Sequence, residues 1–96
     1  MEIVTVYSKR SYSIGRELFY VTEEMFNQAL VLAQRRDQQT QEAVKNGTTD
    51  QLGPFHGIPV SFKDTIAVKD VIISCGADSS ADYVAQEDAA MVKLIL

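Results

Sequence analysis

The longest periodic pattern of apolar and polar residues lies in the first half of the chain. Apolar residues recur at close to helical spacing from Met25 to Ala33, and a polar stretch then runs to Asn46-Gly47, a typical helix end. Thr22, followed by two glutamates, is the expected N-cap. We therefore predict one long helix over residues 22–46 with an exposed second half. A coiled coil is disfavoured because no heptad repeat is sustained.

A period-two pattern marks the middle of the chain. Apolar residues alternate with polar residues or proline from Ile58 to Lys63, which predicts a strand with one face on a core. Pro59 is awkward in a central strand, so the strand proper is expected to begin at Val60. A second apolar run, Val71 to Ser74, follows a short turn. The segment thus supplies one or two strands.

The two ends of the chain carry weaker patterns. Residues 2–7 are rich in β-branched and aromatic types, which predicts a short strand or an extended arm. Glu87 and Asp88 open a second helical pattern that continues through Met91 to Leu96 without a stop signal. The apolar surface of this C-terminal helix is expected to lack a partner within the 96 residues.

Composition limits the classes of function. A chain of 96 residues, with 46% hydrophobic and 23% charged residues, fits one small globular domain. The net charge of -4 argues against nucleic-acid binding, so the cations and tyrosines of residues 7–16 are interpreted as a solvated loop, not a nucleic-acid or lipid-headgroup patch. No apolar stretch predicts a transmembrane helix, and no secretory signal is recognisable. The single cysteine forms no internal disulfide, and we expect an intracellular, cytoplasmic setting.

The most informative segment is the turn-rich approach to the predicted strand, with the lysine at its end. Its sequence is Gly53-Pro-Phe-His-Gly-Ile-Pro-Val-Ser-Phe-Lys63-Asp64. Gly76 follows after an apolar run, and Glu87-Asp88-Ala89 opens the next helix. In order and spacing these features resemble the amidase signature family, serine hydrolases that cleave carboxamides. The resemblance divides the chain into an N-terminal arm and helical lead-in, residues 1–52, and a truncated start of the signature domain, residues 53–96.

The resemblance implies an α/β fold, with helices around a mixed β-sheet, of which this chain supplies the N-terminal part. It places the family's general base on Lys63, which acts on a serine in a cis peptide and, through it, on the serine that becomes acylated. Both serines belong to a later Gly- and Ser-rich stretch that these 96 residues lack. We therefore expect the chain alone to be inactive. The resemblance implies no metal or organic cofactor.

The resemblance also implies a class of substrate, and two alternative functions stand beside it. The substrate would be a small-molecule amide, and residue choices such as Phe55 and Phe62 favour a fatty acid amide, with association at a membrane surface in that case. One alternative is the A-type subunit of a glutamyl-tRNA amidotransferase. Another, of a different class, is a non-catalytic interaction domain that binds a partner through its apolar C-terminal helix. The oligomeric state is left open.

A lysine acts as a general base only in surroundings that lower its pKa. A free lysine, with a pKa near 10.4, is a poor base at neutral pH, so the role requires burial among hydroxyls and away from carboxylates. We therefore expect Lys63 to act only inside a larger fold. From spacing alone, it would be a surface lysine paired with Asp64.

Other chemical groups near Lys63 are expected to be structural. Ser61 lies on the same strand face, but no oxyanion-hole loop accompanies it. His56 has no nucleophile near it and is interpreted as an exposed loop histidine. Asp64 is expected to cap or bond backbone groups, because a carboxylate facing the lysine would oppose the base role. Cys75 is interpreted as a small apolar filler.

The residues after the motif depart from the family pattern at two places. Asp70 follows Lys69 where the family usually has glycine, and Ile72-Ile73 replace small hydroxyl residues. Ser74 matches a family position near the active site that often holds threonine or serine. These departures leave the geometry of the second segment open.

Overall fold

The computed structural model describes all residues, 1–96, and contains three α-helices but no β-strand. The helices are α1 (Glu2–Arg10), α2 (Phe26–Asn46) and α3 (Ala90–Ile95). A π-helical turn, Ser11–Gly15, continues α1, and short 3-10 turns span Thr49–Gln51 and Asp78–Ser80. The chain forms two compact units, Met1–Pro59 and Val60–Leu96, which are described separately.

The first element of the N-terminal unit is a helix, so the strand or extended arm predicted for residues 2–7 was wrong. Glu2 in the first turn and the cations Lys9 and Arg10 in the last turn complement the helix dipole. α1 packs against α2 and buries Val4. Packing of this kind outweighs the weak strand preference of β-branched residues.

The polar stretch after α1 is also ordered, where the sequence predicted a solvated loop. Arg16 donates hydrogen bonds to both carboxylate oxygens of Glu24, at 2.7 and 2.5 Å, and lies 4.0 Å from the ring centre of Tyr12. Gly15 is buried, and a Cβ atom there would lie 3.2 Å from a methyl group of Val21. These contacts fold the π-helical turn onto the segment that leads to α2.

The predicted long helix is confirmed, but it begins later than predicted. α2 begins at Phe26 after Met25, and no side chain caps it. Thr22 is therefore not the N-cap; it lies outside the helix, and Glu24 is held by the Arg16 guanidinium instead. The second half of the helix is largely exposed, as expected.

The C-terminal end of α2 lies where the sequence predicted it. Gly47 adopts the left-handed conformation at φ +67°, and its N–H donates to the Val44 carbonyl at 3.3 Å. The Thr48 N–H donates to the Ala43 carbonyl at 2.9 Å. This pair of bonds is the usual glycine-dependent way to satisfy the last helical carbonyls.

The C-terminal unit lacks the predicted strands. Residues 60–63 have no regular structure, and the run from Val71 forms only one antiparallel bridge, between Ile72 and Val84. The strand predictions were therefore wrong for this chain, and no α/β sheet is present. A strand needs a partner for its backbone groups, and Val60, predicted to face a core, remains 38% exposed.

α3 confirms a helix at the C-terminus but begins at Ala90 instead of Glu87. Asp88 lies before the helix, and its Oδ1 accepts a hydrogen bond from the Lys69 N–H at 2.7 Å. One face of α3 buries Val92 completely, whereas Leu94 is 86% exposed. The C-terminal helix thus presents the unpartnered apolar surface expected from the sequence.

Asp70 explains how this unit tolerates one departure from the family pattern. Its φ is +64°, the left-handed region that glycine enters most easily. Aspartate enters this region more readily than most residues. The N–H of Asp70 donates to the Ala85 carbonyl at 2.9 Å. The turn therefore has a glycine-like backbone without a glycine.

The helix stop at Gly47 gives a test of the fold. We expect Gly47→Ala to lower the free energy of unfolding by about 1 kcal/mol, because a Cβ is strained at positive φ. Gly53→Ala is the matched control, since Gly53 lacks a positive φ and no atom would lie within 4 Å of its new Cβ. Urea unfolding followed by circular dichroism measures both. Equal losses in the free energy of unfolding for Gly47→Ala and Gly53→Ala would contradict the left-handed helix end at Gly47.

Candidate functional site

Lys63 lies on the surface of the C-terminal unit. The Ile66 N–H donates to its carbonyl oxygen at 2.8 Å, which closes a turn directly after the motif. Its side chain is exposed, and its ammonium makes no hydrogen bond or ion pair. The surface position agrees with the expectation from spacing alone, but the expected pairing with Asp64 does not occur. The burial that a base requires is not provided by these 96 residues.

The carboxylate of Asp64 is instead bound to Ser74, ten residues away. Asp64 Oδ1 accepts the Ser74 N–H at 2.8 Å, and Oδ2 accepts the Ser74 hydroxyl at 2.5 Å. The Ser74 Oγ in turn accepts the Gly76 N–H at 3.1 Å. We refer to these three hydrogen bonds as the Asp64–Ser74 clasp. They confirm the prediction that Asp64 satisfies backbone groups.

The clasp also sets the charge of Asp64. The hydrogen bond from the Ser74 hydroxyl, followed by the one from the Ser74 amide, holds the pKa of Asp64 below its ordinary value. The nearby charge of Lys63 adds a smaller contribution in the same direction. Asp64 is therefore ionised at neutral pH, and both of its oxygens are engaged by Ser74.

A strained turn follows Ser74 and is closed by the same residue. Cys75 and Gly76 are both left-handed, at φ +52° and +74°. This bend lets the Gly76 N–H reach back to the Ser74 hydroxyl. Left-handed backbone at a non-glycine residue costs about 1–3 kcal/mol, which the clasp helps to offset. Cys75 is exposed, so its interpretation as an apolar filler was wrong.

Two other residues of the motif are accounted for by the structure. Ser61 is exposed and makes no hydrogen bond, so no Ser61–Lys63 dyad is present. His56 is half-buried, and not the exposed histidine that the sequence suggested. Its Nε2 lies 3.0 Å from Thr40 Oγ1 and 3.2 Å from the Arg36 carbonyl oxygen. A carbonyl only accepts, so the contact with Arg36 is a hydrogen bond in the tautomer that has its proton on Nε2.

An open cleft of about 420 Å³ lies beside His56 in the N-terminal unit. Its lining is mostly polar and includes Glu42, Asn46 and Gln51. The cleft therefore lacks the apolar enclosure typical of small-molecule sites. Across the chain, no cluster of three His, Cys, Asp or Glu side chains is placed to hold a metal ion, and no helix is long and apolar enough to cross a membrane.

Comparison with known proteins identifies the family. The family model described as Amidase matches residues 2–96. The chain belongs to the amidase family. The match therefore includes the helical lead-in as well as the motif that carries Lys63. No solved structure matches the chain.

Three relatives illustrate the range of this family. "Putative amidase kk1C" of Curvularia clavata is 36% identical over 96 residues, which is 100% of this chain and 17% of the relative. "Putative amidase C550.07" of Schizosaccharomyces pombe is 30% identical over 96 residues, 99% of this chain and 17% of the relative. The A-type subunit of glutamyl-tRNA(Gln) amidotransferase from Borrelia garinii subsp. bavariensis is 28% identical over 86 residues, 88% of this chain and 16% of the relative. The chain thus spans about a sixth of the length of these relatives.

The clasp predicts a specific titration. We expect Ser74→Ala to raise the pKa of Asp64 toward its ordinary value, because the hydroxyl that stabilises the carboxylate is removed. Carbon-detected NMR of the side-chain carboxyl measures this pKa. Ser79→Ala, at a nearby exposed serine, is the control and should leave the titration unchanged. An unchanged Asp64 titration in Ser74→Ala would contradict the clasp.

The same shift links Asp64 to stability. Its folded-state pKa lies below the unfolded value of about 3.9, so its contribution is present above pH 4 and is lost as pH falls through the folded pKa. We expect Ser74→Ala to weaken this acid dependence of the free energy of unfolding. Urea unfolding between about pH 2 and pH 6 measures it. An acid dependence identical to that of the wild type would contradict the linkage.

Proposed function

We propose that this chain is the N-terminal part of an amidase that hydrolyses a non-peptide carboxamide, with Lys63 as the general base. The observation that carries the proposal is the match to the amidase family over residues 2–96, which includes the motif that ends at Lys63-Asp64. A lysine paired with a carboxylate is held in its charged form and cannot accept a proton. Here Ser74 binds both oxygens of Asp64, so Lys63 forms no ion pair with it, although the ionised carboxylate still favours the charged form of the lysine.

The proposed chemistry follows the family pattern. A serine oxygen attacks the carbonyl carbon of the amide, the C–N bond breaks, and an acyl-serine forms that water then hydrolyses. Lys63, as a neutral amine, would accept the proton of the serine hydroxyl through the second serine and return it to the leaving nitrogen. Both serines would come from parts of the longer protein outside these 96 residues. No metal or organic cofactor is needed for these steps.

The remainder of the longer protein would also provide the environment of Lys63. Apolar side chains of the C-terminal unit, such as Val60 and Leu94, are uncovered in this chain. Further segments packed against them would exclude water, and a drier setting favours the neutral form of a lysine. We propose that the single bridge between Ile72 and Val84 is then extended into the mixed sheet of an α/β fold.

For the substrate, we propose a small-molecule amide. The preference for a fatty acid amide rests only on residue choices such as Phe55 and Phe62, and the names of the relatives do not add to it. A second candidate is the A-type subunit of a glutamyl-tRNA amidotransferase, favoured by relatives of that name. Hydrolysis that requires no other protein chain supports the amidase; activity only with partner chains and glutamine supports the second candidate.

The role of Lys63 is tested by substitution in the longer protein. We expect Lys63→Ala to lower kcat/KM for amide hydrolysis by about 10³-fold, because general base catalysis contributes roughly 10²–10⁴-fold. Lys69→Ala is the matched control, since Lys69 is also exposed and only its backbone N–H is bonded. Wild-type kcat/KM in Lys63→Ala would refute the assignment.

The 96-residue chain by itself is a second test. We expect no hydrolysis of fatty acid amides or small aryl amides by this chain, because it lacks both serines and leaves Lys63 exposed. Release of amine from the substrate measures the activity. Turnover that disappears in Lys63→Ala of the same chain would contradict the expectation.

A further inference from the structure

The backbone at Lys63 is restrained on its C-terminal side by two separate contacts. Its own carbonyl oxygen accepts the Ile66 N–H at 2.8 Å. The next residue, Asp64, is fixed to Ser74 through both carboxylate oxygens. By contrast, the backbone of residues 60–62, which precede the lysine, takes part in no backbone–backbone hydrogen bond. The contacts that fix Lys63 within its unit therefore lie after it in the chain.

Ser74, to which Asp64 is bound, is itself held by backbone hydrogen bonds. Ser74 receives the Gly76 N–H at its hydroxyl, and its carbonyl oxygen accepts the Ala77 N–H at 2.9 Å. The neighbouring Ile73 N–H donates to the Tyr83 carbonyl at 3.0 Å. The clasp thus ties the lysine-bearing segment to a part of the unit that has its own backbone pairing.

We infer that Asp64 and Ser74 are positioning residues for Lys63: the clasp fixes the backbone from which the lysine projects and occupies both oxygens of the adjacent carboxylate. This inference rests on the proposed amidase function for its catalytic consequence. Asp64 touches neither substrate nor reacting atoms in this scheme. It acts only through the placement of the residue before it.

The geometry explains why the carboxylate and the hydroxyl are both required. Carboxylate hydrogen bonds of this type are stronger than those between neutral groups and are directional. With Ser74 lacking its hydroxyl, the carboxylate keeps only the amide bond and is freer to approach Lys63. With Asp64 lacking its carboxylate, both bonds to Ser74 disappear. The two substitutions should therefore act in the same direction, with the larger effect at Asp64.

The first test measures kinetics in the longer protein. We expect Asp64→Ala to lower kcat by about 10²-fold, the cost of misplacing a catalytic group by about 1 Å, and Ser74→Ala to lower it by about 10-fold. KM should change by less than about threefold, since the base acts in the chemical step. Ser74→Thr, which keeps a hydroxyl, should recover most of the loss. Asp82→Asn, at an exposed carboxylate without a bonded partner, is the control.

These kinetic results have clear contrary outcomes. Wild-type kcat in Asp64→Ala would overturn the inference. So would a change confined to KM, or a Ser74→Thr variant no better than Ser74→Ala. If Asp64→Ala does not fold, the comparison of kcat between Ser74→Ala and Ser74→Thr tests the inference. Both variants leave the Asp64 carboxylate and its bond to the backbone amide in place.

The second test does not depend on the proposed function. In the 96-residue chain, we expect the ¹⁵N order parameter of the Lys63 amide to fall from about 0.85 to below about 0.6 in Asp64→Ala. A smaller fall is expected in Ser74→Ala and none in Asp82→Asn. An unchanged Lys63 order parameter overturns the positioning role. Wild-type protein without amidase activity, together with the expected relaxation pattern, refutes the proposed function while supporting the positioning of Lys63.

Discussion

The pair of hydrogen bonds that the Ser74 amide and hydroxyl donate to Asp64 ties the lysine-bearing segment to the part of the chain ten residues later. No helix or strand runs through residues 60–77, so turns, side-chain contacts and a short stretch of backbone pairing around the Ile72–Val84 bridge define this part of the chain. The clasp joins positions ten residues apart, stabilises the turn that contains left-handed Cys75, and occupies the carboxylate next to Lys63. One contact thus restrains the backbone next to the proposed base and engages the carboxylate beside it.

Features fixed by short-range chemistry could be predicted from the sequence. The body of α2 and its end at Gly47 follow from helical spacing and from the left-handed conformation that glycine adopts at a helix end. The family was recognised from the motif that ends at Lys63, and the match over residues 2–96 confirms it. That Asp64 would satisfy backbone groups also followed from charge, since a carboxylate facing a catalytic lysine would hold it protonated.

Features that depend on distant partners could not be predicted in the same way. The β-branched residues of α1 predicted a strand, but packing against α2 makes them helical. Thr22 looked like an N-cap, yet the Arg16–Glu24 ion pair shapes the segment before Phe26. The alternating residues near Lys63 predicted a strand that has no neighbour to pair with in these 96 residues. Ser74 could not be named as the partner of Asp64, because nothing local in the sequence links positions ten residues apart.

The central claim is that these 96 residues are the N-terminal part of a longer amidase, in which Lys63 is the proposed base. The mass of the natural polypeptide tests this most directly, measured by intact mass spectrometry after enrichment with an antibody to residues 53–64. We expect a mass several-fold above the 10.7 kDa of this chain, because the chain covers only 17% of its amidase-named relatives. A natural polypeptide of 10.7 kDa would contradict the account, since its lysine would have neither serines to act on nor a buried site.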